Sequence, residues 1–454
     1  MIDWSALAMR LARLARDAGP GGLLTLTVPL PHWPAESPAG GEWFHWRRPD
    51  ADLTLTGIGA ALRVETDGPA RFAALGATLR GLRESWRHDT LDALTPPPLA
   101  FCGFAFAPDG GAPLPNACLV VPAILLRQSD GQASATFTCA AADAPQAIQR
   151  WQALAASLGA PGGTSPNSHP PRFARQPAPL ADLAFLARGR AALSAIESGR
   201  FAKLVLTRAV RWSADRRLAP APILAALAER NPDCAVWAVG QAERVFLGAS
   251  PERLLAYRGG RAEVDALAGT AWTALSGDGP ASLSLAGDKN RREHDLVVAS
   301  VREALAPLCE SLSVPKRAEI MRIGELQHLR RRIVGETRPE VTAFDLIARL
   351  HPTPAVGGTP TAAALDWLAA HGDRRGAWYT GGIGWLDADG DADFAVALRC
   401  GLLAGREATL YVGAGFVAGS EPRQEMAETE AKLSPMLAAL RAGARPQRSR
   451  TTGT

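Results

Sequence analysis

Lys203 opens the run KLVLTRAV, a lone amine at the head of a strongly apolar stretch. Desolvation disfavours the charged form of a lysine and would let it act as a base. Many lysines instead extend the ammonium to water along an apolar surface. Glu252, in GASPERLL, follows a Ser-Pro turn beside another apolar run. Partial burial there would raise its proton affinity and make it a candidate acid. One acid and one lysine base on separate strands suit addition of water to one face of a small molecule and loss of hydroxide from another. Glu425 and Glu428 fall three apart in QEMAETEAK and share a helix face, with Lys432 four residues beyond Glu428. This spacing suits an i,i+4 salt-bridge ladder, the commoner arrangement, and equally a hard-cation site. Mg²⁺ takes one or two carboxylates plus substrate oxygens and keeps several waters. Glu293, in KNRREHDL, adds a carboxylate near a helix start, where negative charge is favourable in its own right. Glu293-His294 lacks the second histidine of H-E-x-x-H, which excludes that zinc-protease motif.

Three glycine-rich stretches, LAGT (267–270), YTGGIGW (379–385) and VGAG (412–415), would let a carboxylate or phosphate approach backbone N–H groups. None reads G-x-x-x-x-G-K-[ST], and none has the strand–G-x-G-x-x-G–helix setting of a dinucleotide site, so alone they are turns. His351, in LHPTPAVGGTP, suits a core histidine best, with hydrogen-bond donor or base as the other roles.

The elements that must carry these groups follow from periodicity and breakers. Helices are expected over Ser5–Asp17, residues 71–87, APQAIQRWQALAASLG, DLAFLARGRAALSAIESG, APILAALAER, RREHDLVVASVREALAPL and EPRQEMAETEAKLSPMLAALRAG. Strands are expected at LLTLTVPL, in two pieces within 42–67, in short runs from Leu99 to Phe137, at KLVLTRAVRW, AVWAVG and RVFLGAS, and across 381–415. The Pro-, Gly- and Ser-rich stretch 159–179 reads as a linker. The expected organisation is an N-terminal α+β subdomain over 1–158, that linker, a catalytic region over 180–440 and a basic tail over 441–454. The class is α+β: large antiparallel sheets with helices outside.

Composition narrows the function classes. The 454 residues are 47% hydrophobic and 21% charged, as in ordinary globular proteins, so disorder and repeat architectures are excluded. The net charge is +4, and Arg441, Arg445, Arg448 and Arg450 equal that excess, leaving no basic stripe for nucleic acid. Six scattered cysteines without a C-x-x-C pair suit free thiols in a reducing compartment. No run of 18 apolar residues argues for a membrane span, and the N-terminus does not read as a secretory signal, so a cytoplasmic location is expected.

Taken in order, KLVLTR, SPERLL, LAGT, EHDLVV, LHPTPAVGGTP, GGIGW, ALRC, VGAG and ETEAK resemble the chorismate-utilising enzymes, the group of isochorismate, salicylate, anthranilate and aminodeoxychorismate synthases. The resemblance covers roughly 180–440. FHWRRPD…LTGIGAA and FCGFAFAP extend it upstream toward isochorismate synthases. It implies Lys203 as the base that activates water and Glu252 as the acid that protonates the departing ring hydroxyl. It implies Mg²⁺ held by Glu293 and Glu428, with Glu425 auxiliary. Arg399 and Lys432 would pair with substrate carboxylate, and amides of Gly269, Thr270, Gly413 and Gly415 would complete the cradle. His351 and Ala355 fall in the segment expected to shape the substrate wall. Anthranilate synthases typically carry glutamine at the lysine position and use ammonia from a glutaminase, whereas lysine points to water. The amidotransferase-linked relatives also read threonine where this chain has Ala355. The implied reaction is chorismate to isochorismate, without a glutaminase partner, in a chain expected to be monomeric. The alternative is salicylate formation by further pyruvate loss, or less readily an amidotransferase-linked synthase component.

Overall fold

The computed structural model describes residues 2–19, 21–31, 41–90, 96–156, 172–272, 285, 287–323 and 326–442. Two large sheets dominate, one of 13 strands and one of 10, with helices on their outer faces, as an α+β class requires. Almost every pairing is antiparallel; the exception is Leu23–Leu30 beside Trp86–Thr90.

The strand Lys203–Ala214 forms because its first six residues are apolar, β-branched or otherwise buried, and it lies next to one end of the larger sheet, with only the short strands Phe173–Arg175 and Gly358–Thr359 outside it among the described residues. Its partner is Glu407–Val417, in a register that sets Lys203 opposite Val417, Val205 opposite Gly415 and Thr207 opposite Gly413. In the smaller sheet, Arg261–Trp272 pairs with Leu326–Thr337, and a register shift between Ala268 and Thr270 sets Thr270 opposite His328. Glu252 lies between Arg244–Ser250 of the larger sheet and Arg253–Arg258 of the smaller one. The chain changes sheets at the acid.

The outer helices carry ordinary amphipathic logic. In Asp288–Leu305, Val297, Val301 and Leu305 recur every four residues and are all buried. Each such side chain contributes about 1.5–3 kcal/mol relative to exposure. Thr342 and Asp345 form a capping box that starts Ala343–Leu350, and this helix delivers the HPTP turn. In Pro422–Ala442, Leu433, Met436 and Leu440 face inward.

Three expectations are corrected. The helix expected over 71–87 ends at Ser85, and Trp86–Thr90 continues as a strand. The buried Trp86 ring donates Nε1–H to Thr25 Oγ1 at 2.7 Å, a tertiary bond that overrides local helical spacing. Residues 42–67 hold three strands, Glu42–Arg48, Leu53–Ile58 and Leu62–Thr66, and the third joins the other sheet. The N-terminal segment is no separate layer. Glu42–Arg48 pairs with Ala235–Gln241, and Leu99–Phe104 pairs with Gly382–Asp387, so strands from both sides of 159–179 share both sheets. Within that stretch Phe173–Arg175 is itself a strand and a helix begins at Pro179. Of the expected tail, Arg441 and Ala442 finish the last helix, and 443–454 lie outside the described residues.

The six cysteines are free and buried. Among the described residues no helix is long and apolar enough to cross a membrane.

Candidate active site

Strand register brings most of the singled-out residues to one cavity. Lys203, Glu252, Gly269, Thr270, Glu293, Ala355, Arg399, Gly413, Gly415 and Lys432 all line it. About 700 Å³ of non-atom space lies within it, a figure that includes open solvent at its mouth.

Lys203 does not reach out to water: it is 1% exposed, and its Nζ lies 2.9 Å from Glu293 Oε1. The pair fits because position 415 is glycine. A Cβ there would lie 2.7 Å from Glu293 Oε1 and 3.3 Å from Lys203 Cε. Glu252 is also buried, and its backbone is pinned by Ser250 Oγ, which accepts its N–H, and by its carbonyl, which accepts from Val396 N–H at 3.1 Å. Burial pushes its carboxyl up to about 8, opposed by Lys203 and reinforced by Asp265. The acid therefore carries a proton at neutral pH, while a buried amine stands near it.

Further cations line the same cavity. Arg399 is buried in the left-handed region at φ 48, a strained conformation for a non-glycine residue of the kind that clusters at functional sites. Its guanidinium donates to Nε2 of His328 at 3.1 Å, and the other ring nitrogen of His328 meets Thr270 Oγ1 at 3.2 Å. Burial beside Arg399 and Lys432 holds His328 well below its ordinary range, so the ring is neutral and its Nδ1–H faces Thr270. Lys432 Nζ donates to the Gly413 carbonyl at 3.0 Å and pairs with Glu428 Oε1 at 2.5 Å. The salt-bridge ladder of the last helix thus exists, and its lysine opens onto the cavity. Gly269 stands at φ +76, a conformation that glycine adopts freely, and closes the wall against Asn290.

Three candidates, His351, Glu425 and Glu428, are not in the cavity lining, and Glu428 reaches it only through its pair with Lys432. His351 is buried outside the cavity, with Nε2 against the Phe106 carbonyl at 3.1 Å and its ring edge-on to Phe72, Phe104 and Phe106. Burial holds it down to about 3, so it is a neutral core histidine and the substrate-wall placement is corrected. Glu425 is buried in the first turn of the last helix and does not line the cavity.

Several lining residues escaped the sequence reading. His328 hides in the basic run QHLRRR, and only the strand register turns it toward Thr270. Tyr379 and Tyr411 stack at 5.5 Å in the wall. Behind it, buried Arg375 donates to the carbonyls of Val356 and Val205 and to Thr380 Oγ1, tying three lining segments together.

The carboxylates present suit a hard cation in part. Glu293 lines the cavity, and Glu428 is linked to it through Lys432. Among the described residues no three metal-ligating side chains form a closed cage.

Lys203, Glu252, Arg399 and Lys432 thus share one cavity, the arrangement expected of an enzyme site. The sequence matches the family described as chorismate binding enzyme over residues 28–441. It is 34% identical over 430 residues to a salicylate biosynthesis isochorismate synthase of Pseudomonas aeruginosa, covering 88% of this chain and 84% of that one. It is 30% identical over 417 residues to the isochorismate synthase MenF of Bacillus subtilis, covering 88% of each. The fold matches the menaquinone-specific isochorismate synthase MenF of Escherichia coli with a TM-score of 0.76 and 26% identity, over 96% of this chain and 100% of that one. The chain belongs to the chorismate-binding enzyme family.

Proposed function

We propose that this enzyme converts chorismate to isochorismate. The observation that carries the reading is the lysine–acid pair: Lys203 and Glu252, both buried, open onto the same cavity. In this reaction Lys203 acts as the base, taking a proton from a water whose oxygen bonds to ring C2. Both ring double bonds shift, and the C4–oxygen bond breaks as Glu252 gives its proton to the departing hydroxyl, which leaves as water. One water enters and one leaves, so the product is an isomer, and proton return to Glu252 completes the cycle. Arg399 and Lys432 pair with the substrate carboxylates, a task for which arginine's planar fork is well shaped. Gly269 and Thr270 wall one side, while Gly413 and Gly415 give the Lys203 side its room.

Mg²⁺ would be held by Glu293 and Glu428, with Glu425 one turn away. When bound it would supply positive charge to the substrate carboxylate. Lysine at position 203 and Ala355 in the HPTPA segment support water rather than ammonia as nucleophile, and hence a chain that needs no glutaminase. The named relatives place isochorismate in salicylate and menaquinone biosynthesis, so the isomerisation is the step they share. We take the enzyme to act as a cytoplasmic monomer.

The test is incubation of the purified chain with chorismate and Mg²⁺, followed by separation of products. Isochorismate alone supports the reading. Salicylate with pyruvate would make it a lyase, and product formed only with added ammonia would make it a synthase component.

A further inference from the structure

One side of Lys203–Ala214 is paired along its length with Glu407–Val417, but the other side is covered only at its ends. Gly358–Thr359 pairs with Lys203 and Leu204, and Phe173–Arg175 pairs from Trp212 onward. Among the described residues no strand covers the interval between them, and two arginines take that place. Arg375 Nη2 donates to the Val205 carbonyl and Arg188 Nη2 to the Thr207 carbonyl, each at 3.1 Å. Asp373 joins the two. Its Oδ2 accepts from Arg375 Nε at 2.9 Å, while its Oδ1 accepts from Thr207 Oγ1 at 2.7 Å and lies 3.5 Å from Arg188 Nη1. The side chains of Asp373 and Arg375 are each 2% exposed. A buried ion pair is weak evidence for stability, so its use lies in what it holds.

The remaining nitrogen of Arg375, Nη1, donates at 2.7 Å both to the Val356 carbonyl and to Thr380 Oγ1. Thr380 stands at φ 62, a left-handed conformation that a β-branched residue keeps only where its surroundings impose it. Val205, Val356 and Thr380 all line the cavity, and Lys203 and Val205 fall on the same face of their strand. We propose that Arg375 is the positioning residue of the base: with Asp373 and Arg188 it stands in for the missing edge strand and holds Lys203 in place against the wall formed by Val356 and Thr380. The proposal rests on the base role assigned above to Lys203. The bonds of Arg375 go to this strand and this wall rather than to Arg399 or Lys432, so the charges that would pair with substrate stay in place when it is changed.

The test uses the full chain as Arg375→Lys, which keeps the charge beside Asp373 but lacks the fork that reaches several acceptors at once. Arg188→Met, on an outer helix, removes the second donor and carries the same readouts if Arg375→Lys does not fold. Turnover of chorismate should fall ~10–100-fold in Arg375→Lys and less in Arg188→Met, with KM nearly unchanged. In a Lys203→Ala background the same changes should cost under about 2-fold, because a residue acting through the base has nothing left to position. Without any substrate, hydrogen exchange of the amides at 203–207 should quicken ~10-fold, the scale of one hydrogen bond to a charged group, while Arg244–Ser250 of the same sheet exchanges as in wild type. Unchanged exchange at 203–207, a uniform rise across the sheet, or a full further loss of turnover on top of Lys203→Ala each overturns the positioning role. A wild-type chain that makes no isochorismate, with the local exchange change present in Arg375→Lys, overturns the proposed reaction and leaves the anchoring of the strand standing.

Discussion

Two protons decide turnover at the residue scale, one taken by Lys203 and one given by Glu252. Lys203→Ala should reduce isochorismate formation by ~10²–10⁴-fold, the loss typical of a general base. Glu293 is partly open to solvent, so it keeps water when its partner goes, and thermal melting should shift little. Near-native turnover of the variant between pH 7 and 9 would remove Lys203 from the base role. Glu252 gives a pH signature whose sign is fixed by its raised proton affinity. With a midpoint of about 8, the acid is protonated by roughly ten to one at pH 7, and that fraction is lost as pH rises through the midpoint. Activity should therefore decline on the alkaline side, and Glu252→Gln should be inactive without such a limb; a flat profile from pH 7 to 10 contradicts the assignment. For the carboxylates, Glu293→Gln and Glu428→Gln should each raise the Mg²⁺ concentration for half-maximal rate together with the apparent chorismate KM, because metal and substrate would share one coordination sphere. If both were only salt-bridge partners, metal titrations would match wild type and stability would change by ~0.2–1 kcal/mol.

Elements set the distances those residues need, and the closest fit is where Lys203–Ala214 meets Glu407–Val417. Gly415→Ala tests it. The added Cβ would crowd the end of a flexible Glu293 side chain, so the fold should survive with little change in melting temperature. The Lys203–Glu293 pair would be pushed apart, and turnover should drop by about 10²-fold, the scale of a ~1 Å misplacement at a reacting centre. An Ala variant of full activity would show that the pair tolerates displacement. These strands were legible in the sequence because apolar runs bounded by turn residues have few other fates, and Lys203 and Glu252 stood out as lone charges beside them. Register was not legible. His328 gives no local sign, since its partner Thr270 lies on another strand and a bulge decides the pairing. Trp86–Thr90 was hidden for a related reason, its strand being selected by a bond to Thr25 that helical spacing cannot reveal. His351 misled because its motif neighbours Ala355 and Val356 do line the cavity while its own ring turns into the aromatic core.

At the scale of the whole molecule, both sheets are woven from strands on either side of 159–179. Separate expression of residues 1–165 and 166–454 should leave each piece with unpaired strand edges and a tendency to aggregate. Co-expression should recover soluble complex and isochorismate-forming activity, because the cut leaves every observed strand pairing available. A soluble, active 166–454 fragment would show that the shared sheets are dispensable. The pairing of Lys203–Ala214 with Glu407–Val417 also dictates a timetable. On the ribosome the base-bearing strand Lys203–Ala214 is made well before Glu407–Val417, the neighbour that covers this edge. Through that interval the nascent chain displays an apolar strand with an open side, a natural target for chaperones and a hazard when they are scarce. Catalytic competence therefore waits for Glu407–Val417 to be made, and a messenger truncated before its codons yields no partial enzyme.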